Sequence, residues 1–124
     1  MSRIYHPFWL WEDVKNGILE DKSEIEEELS TIVRDLLSDS KLFYKTAKKM
    51  VKDWKYASEF HLSNRARNRQ AWIGQASCCY LYKIPEKITK YGWRLLSFEQ
   101  QIEANKVADR IIIEWEKENA KKIS

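Results

Sequence analysis

The chain has 124 residues, with 22 Lys and Arg against 19 Asp and Glu for a net charge of +3. Its 44% hydrophobic and 33% charged content supplies enough apolar surface for a buried core, which excludes a disordered polyelectrolyte. No apolar run approaches the roughly 20 residues that span a bilayer, which excludes a membrane-spanning helix.

A chain of this length suits one domain. Six Trp, six Tyr and four Phe give it a heavy aromatic load, and each buried ring removes a large area from water. Only three Gly and two Pro argue against a fold built on many tight hairpins. The start, Met1 to Pro7, lacks the apolar segment and small-residue cleavage site of a secretion signal. Cys78 and Cys79 are the only cysteines and are adjacent, so a disulfide between them would close almost no loop. A reducing cytoplasm is the expected compartment.

The first element expected is a short helix from Pro7 to Asn16-Gly17, where Gly can take the left-handed cap conformation. Phe8, Trp11 and Ile18 would face the core; the alternative is that the Trp9–Trp11 pair forms an exposed aromatic anchor. The second helix has the clearest pattern. Ile25, Leu29, Ile32, Val33, Leu36 and Leu37 form one apolar face at helical spacing. Ser23 with Glu26 fits a capping box, and the acidic first turns suit the helix dipole. Ser38-Asp39-Ser40 ends this helix and caps the next.

The third helix is expected from Lys41 to Lys55, burying Phe43, Ala47, Met50, Val51 and Trp54. Its opposite face carries Lys41, Lys45, Lys48, Lys49 and Lys52. A loop is expected from Tyr56 to Ser63. Ser63 or Asn64 then caps a fourth helix reaching Tyr82, with Trp72, Ile73, Ala76, Cys79 and Tyr80 inward. Gly74 within it costs about 1 kcal/mol relative to Ala, which makes sense where another helix approaches closely.

Pro85 suits the first position of a fifth helix through Leu95, with Ile88, Tyr91 and Leu95 as its apolar edge, joined by Trp93 or Leu96. Ser97 with Gln100 forms a second capping box before a last helix from Phe98 to Lys121. Ala104, Val107, Ala108, Ile111, Ile112 and Trp115 give that helix a wide apolar face. The fold class expected is therefore all-α: a single domain, residues 1–124, of five or six helices in an orthogonal or bundle-like pack.

Charge is distributed unevenly along these elements. Glu20 to Asp39 holds eight acidic and two basic residues, a net of −6, while Lys41 to Arg69 holds nine basic and two acidic, a net of +7. Such a dipole biases which surfaces and polymers the protein meets.

Catalysis at neutral pH usually recruits His, paired carboxylates or an activated Cys or Ser. His6 precedes Pro7 and reads as a cap or a packed ring. His61 reads as a structural ring, with orientation of a phosphate or carboxylate as the functional alternative. The two thiols sit on successive helical positions about 100° apart, a poor geometry for one tetrahedral zinc. Apolar mid-helix surroundings raise a thiol pKa and disfavour a nucleophile. There is no glycine-rich phosphate loop, nucleophile elbow or calcium-binding loop. No catalytic residue, metal or cofactor is expected.

The lysine stripe, with Arg65, Arg67 and Arg69 beyond it, has three readings. It is a solvated helix face, a phosphate-binding surface for nucleic acid, or a match for an acidic protein surface. Arg65 and Arg69, four apart, share a face, and their simplest alternative is pairing with Glu26, Glu27 or Asp35.

Three segments carry a resemblance: His6-Pro7-Phe8 with Trp11-Glu12-Asp13 and Asn16-Gly17; Asn68 to Cys79; and Asn105 to Glu116. Together they resemble small accessory proteins encoded by bacteriophages and prophages. That resemblance implies action inside a host bacterial cell; its motifs name no reaction and carry over no catalytic residue. It raises two roles without choosing between them: inhibition of a host-defence effector, in the manner of anti-CRISPR proteins, and a DNA-associated accessory role. Inhibition of such an effector, for example a CRISPR nuclease complex, is the leading expectation. The binding residues expected are Lys45, Lys48, Lys52, Arg65 and Arg69, with Trp9 as aromatic anchor. The partner expected is a host or phage protein, with DNA or RNA on the same basic face as the runner-up and no membrane.

Overall fold

The computed structural model of the chain describes residues 22–63 and 69–123. Among these residues lie six helices and no strand: α1 (Lys22–Ser38), α2 (Ser40–Asp53), α3 (Lys55–Ser63), α4 (Arg69–Tyr82), α5 (Glu86–Arg94) and α6 (Phe98–Ile123). The expected all-α class is observed. The expected Pro7–Gly17 helix and Trp9 lie outside the described residues.

α1 forms as its spacing predicts, with Leu29, Val33, Leu36 and Leu37 at 2% exposure or less. Lys22 and Ser23 are already helical, so Ser23 is not the residue that precedes the helix. Asp39 separates α1 from α2 and caps the latter, its carboxylate accepting from the Leu42 N–H at 3.1 Å. α2 buries Phe43, Thr46, Ala47 and Met50.

The segment expected as a loop is instead the helix α3. The chain breaks only at Trp54, whose N–H still donates to the Met50 carbonyl, and Ser58 then donates to Trp54 to begin the new helix. Only Ser58 and Leu62 of α3 are buried, and they lie one turn apart.

α4 buries Ile73, Gly74, Ala76, Ser77 and Cys78. Compared with the expected stripe of Trp72, Ile73, Ala76, Cys79 and Tyr80, the inner face is turned by about one residue, or ~100°. Trp72, Cys79 and Tyr80 are only partly buried. Gly74 sits where the sequence implied a close approach: a Cβ there would meet the Trp93 ring at 2.6 Å and Leu37 at 3.2 Å. Pro85 is the cap of α5 and not its first residue. α5 buries Ile88, Thr89, Gly92 and Trp93, whereas Tyr91, expected on the apolar edge, is exposed.

The capping box of α6 forms in both directions. The Ser97 hydroxyl accepts from the Gln100 N–H at 3.2 Å, and the Gln100 side chain accepts from the Ser97 N–H at 2.9 Å. Ala104, Ala108, Ile111 and Ile112 of α6 are buried. The resulting core joins α1, α2, α4, α5 and α6, with α1 packed most extensively on α5. No helix among the described residues is long and apolar enough to cross a membrane.

Candidate binding face

Helical periodicity places Lys41, Lys45, Lys48, Lys49 and Lys52 together on the outer side of α2, opposite Phe43, Ala47 and Met50, and all five are exposed. The stripe runs about 16 Å along the helix axis. Three of the expected binding residues, Lys45, Lys48 and Lys52, therefore share one surface. Trp9 and Arg65 lie outside the described residues.

Lys48 is engaged within the fold. Its ammonium donates to the Tyr44 hydroxyl at 3.4 Å and lies 3.7 Å from Glu114 of α6. Tyr44 in turn donates to Glu114, 2.8 Å from each carboxylate oxygen, and the Arg110 guanidinium carbon lies 4.0 Å from the Tyr44 ring centre. Arg110 also donates to Glu114 at 3.3 Å. The tyrosine hydrogen bond, with help from the two cations, holds the Glu114 carboxyl below its ordinary pKa. The Tyr44 hydrogen bond and Glu114 raise the Lys48 ammonium above its own.

Arg69 does not join the lysine stripe. Its guanidinium donates to the Leu62 carbonyl at 3.1 Å and to Glu116 at 3.2 Å, clamping the end of α3 to α6. Glu114 and Glu116 are two residues apart and point about 200° from each other, so Lys48 and Arg69 meet α6 on different sides. Of the three partners expected for Arg69 on α1, two are engaged elsewhere: Glu26 by Lys87 at 3.9 Å and Asp35 by Arg34 at 3.0 Å. Among the described residues, no ion pair engages Lys41, Lys45, Lys49, Lys52 or Lys55.

A groove of about 410 Å³ runs between α2–α3 and α6 beside the stripe. Lys48, Lys52 and Lys55 rim it, with Glu59, Glu114 and Glu118 among them, over a floor that includes Val51, Ile111 and Trp115. A larger hollow of about 840 Å³ between α1 and α5 lies away from this face. It too mixes signs, with Glu26, Glu27 and Glu86 among Lys87, Lys90 and Arg94.

The reading of Tyr56–Ser63 as a loop hid the aromatic part of the surface. Tyr56 and Phe60 stand one turn apart on α3, 86% and 61% exposed, on the side opposite Ser58 and Leu62. The signal was present as Ser58 and Leu62 at helical spacing, but two positions are too few to reveal a periodicity. His61 is exposed, stacks on Trp72 at 4.6 Å and meets Phe60 edge-on at 5.3 Å.

Burial raises both thiol pKa values, that of Cys78 most strongly, while the 3.7 Å contact with Thr89 partly offsets the effect at Cys79. Among the described residues, no group of three His, Cys, Asp or Glu side chains is placed to hold a metal ion. No protein family, curated protein or solved structure matches the chain.

Proposed function

We propose that this chain is a non-enzymatic binding protein whose α2 lysine face docks on an acidic surface of another protein. A host-defence effector, such as a CRISPR nuclease complex, is the partner class that the resemblance to phage accessory proteins brings forward. The observation that carries the protein-binding reading is the interleaving of signs on this face. Lys45, Lys49 and Lys52 reach solvent without an acidic partner among the described residues, yet Glu59, Glu114 and Glu118 line the adjoining groove.

A nucleic-acid backbone presents a continuous line of negative charge, and carboxylates along its path repel it. A protein surface presents discrete carboxylates, which spaced lysines can meet while the intervening acids select against other partners. Lys48 and Arg69, the two cations committed to α6, reduce further what a polyanion would find here.

An interference assay tests the reading. In bacteria with an active nuclease-based defence, expression of the chain is expected to restore plasmid establishment. Lys45→Glu/Lys49→Glu/Lys52→Glu should abolish the effect, whereas Lys106→Glu on α6 should preserve it. Equal activity of the triple variant and the parent chain would remove the lysine face from the account.

A further inference from the structure

We infer that Tyr56 and Phe60 of α3 are the aromatic anchors of this interface, and that they pack on the apolar face of a helix flanked by carboxylates on a partner protein. The inference rests on the reading of α2 as a protein-binding face and extends it to a helix that supplies few core residues.

α3 buries only Ser58 and Leu62, yet it is held firmly. Leu62 is 1% exposed, its carbonyl accepts from Arg69, and the backbone runs on from α2 through the Ser58–Trp54 hydrogen bond. The opposite side of the helix presents two large rings to water. Single exposed apolar residues are ordinary, but two rings one turn apart form a continuous strip on a fixed support. Aromatic side chains have few rotatable bonds, so immobilising them on binding costs little entropy, and they dominate the energetics of protein interfaces.

Charge indicates what flanks that apolar face. Lys55 precedes Tyr56 directly and Lys52 lies four residues before it, both exposed and neither ion-paired among the described residues. Asp53 accepts a hydrogen bond from the Tyr80 hydroxyl, so the two lysines outnumber the remaining acid, Glu59, beside the rings, and acidic groups on the partner would be complementary there. A single-stranded nucleic acid could also stack on aromatic rings beside lysines. Glu59 on the same helix, with Glu114 and Glu118 on the groove wall, sets carboxylates along the path a continuous polyanion would need and weighs against that occupant.

The test is an NMR titration of the labelled full chain with an amphipathic 20-residue helical peptide carrying Leu and Trp on one face and Glu on the other. Oligo-dT and a Lys-for-Glu version of the peptide serve as parallel probes. The inference expects shifts centred on α3 and the end of α2. Affinity should fall at least about tenfold in Tyr56→Ala/Phe60→Ala, with only a small change in melting temperature, because Tyr56 is exposed and Phe60 gives up only its edge contact with His61. Undiminished peptide affinity in that variant, with loss in Lys49→Glu/Lys52→Glu, would overturn the anchor and leave the lysine face standing. Absence of binding by the acidic peptide, or tighter binding of oligo-dT, would overturn both.

Discussion

The Tyr44 hydroxyl sits 2.8 Å from both oxygens of Glu114, and this contact ties α2 to α6 next to the lysine face. It fixes the carboxylate between Lys48 and Arg110 and thereby takes one of the five stripe lysines out of play.

The pair gives stability a pH signature. Glu114 has its pKa lowered in the folded chain, so its contribution is present above the ordinary carboxylate value of 4.5 and is lost as pH falls through the folded value. Tyr44→Phe should destabilise the protein at pH 7 by about 1 kcal/mol, in line with loss of one partly exposed hydrogen bond. It should also flatten the decline of stability below pH 4.5. Urea unfolding between pH 3 and 7 reads both effects, and parallel curves for parent and variant would contradict this assignment.

Gly92 lets α1 and α5 touch. A Cβ there would crowd the Val33 side chain and come within 2.9 Å of the Ser30 carbonyl oxygen, which is backbone and cannot swing away. In an open helix, Gly→Ala stabilises by up to about 1 kcal/mol. Gly92→Ala should instead cost about 1–3 kcal/mol through overpacking, measured as a lower urea midpoint. A raised midpoint would show that the two helices separate easily.

Ser58 is fully buried, and its hydroxyl has no hydrogen-bond partner among the described residues. Ser58→Ala removes that unpaired group and should raise stability by about 1 kcal/mol, seen as a higher unfolding midpoint. Destabilisation would indicate that the hydroxyl has a partner.

The thiols should be unreactive in the folded state. Burial drives the Cys78 pKa far up, so at pH 8 almost no thiolate is present. Mass spectrometry after treatment with a thiol reagent should find Cys78 unmodified and Cys79 modified slowly, with both labelled at once in denaturant. Fast labelling of Cys78 in the native protein would refute this packing.

Legibility followed the number of buried positions on each element. α1 carries a full apolar face, and the core from Ile25 to Leu37 could be read from spacing alone. α6 announced its start through Ser97 and Gln100, whose reciprocal bonds are local. α3 escaped because its conspicuous apolar residues, Tyr56 and Phe60, point outward and its inward ones are a serine and a single leucine. In α4, Gly74, Ala76 and Ser77 are buried because they are small and permit close helix approach, which blurred a stripe sought among large side chains. The Arg69 partner, Glu116, is 47 residues away, and only the packing of α4 on α6 brings them together.

The most direct test of a protein-directed lysine face is fluorescence anisotropy with labelled duplex and single-stranded DNA at 50 and 200 mM salt. Dissociation constants weaker than about 100 µM are expected at the higher salt, beyond even ordinary non-specific binding, with no change in Lys45→Glu/Lys49→Glu/Lys52→Glu. Micromolar affinity that collapses with salt and disappears in the triple variant would contradict a protein-directed face.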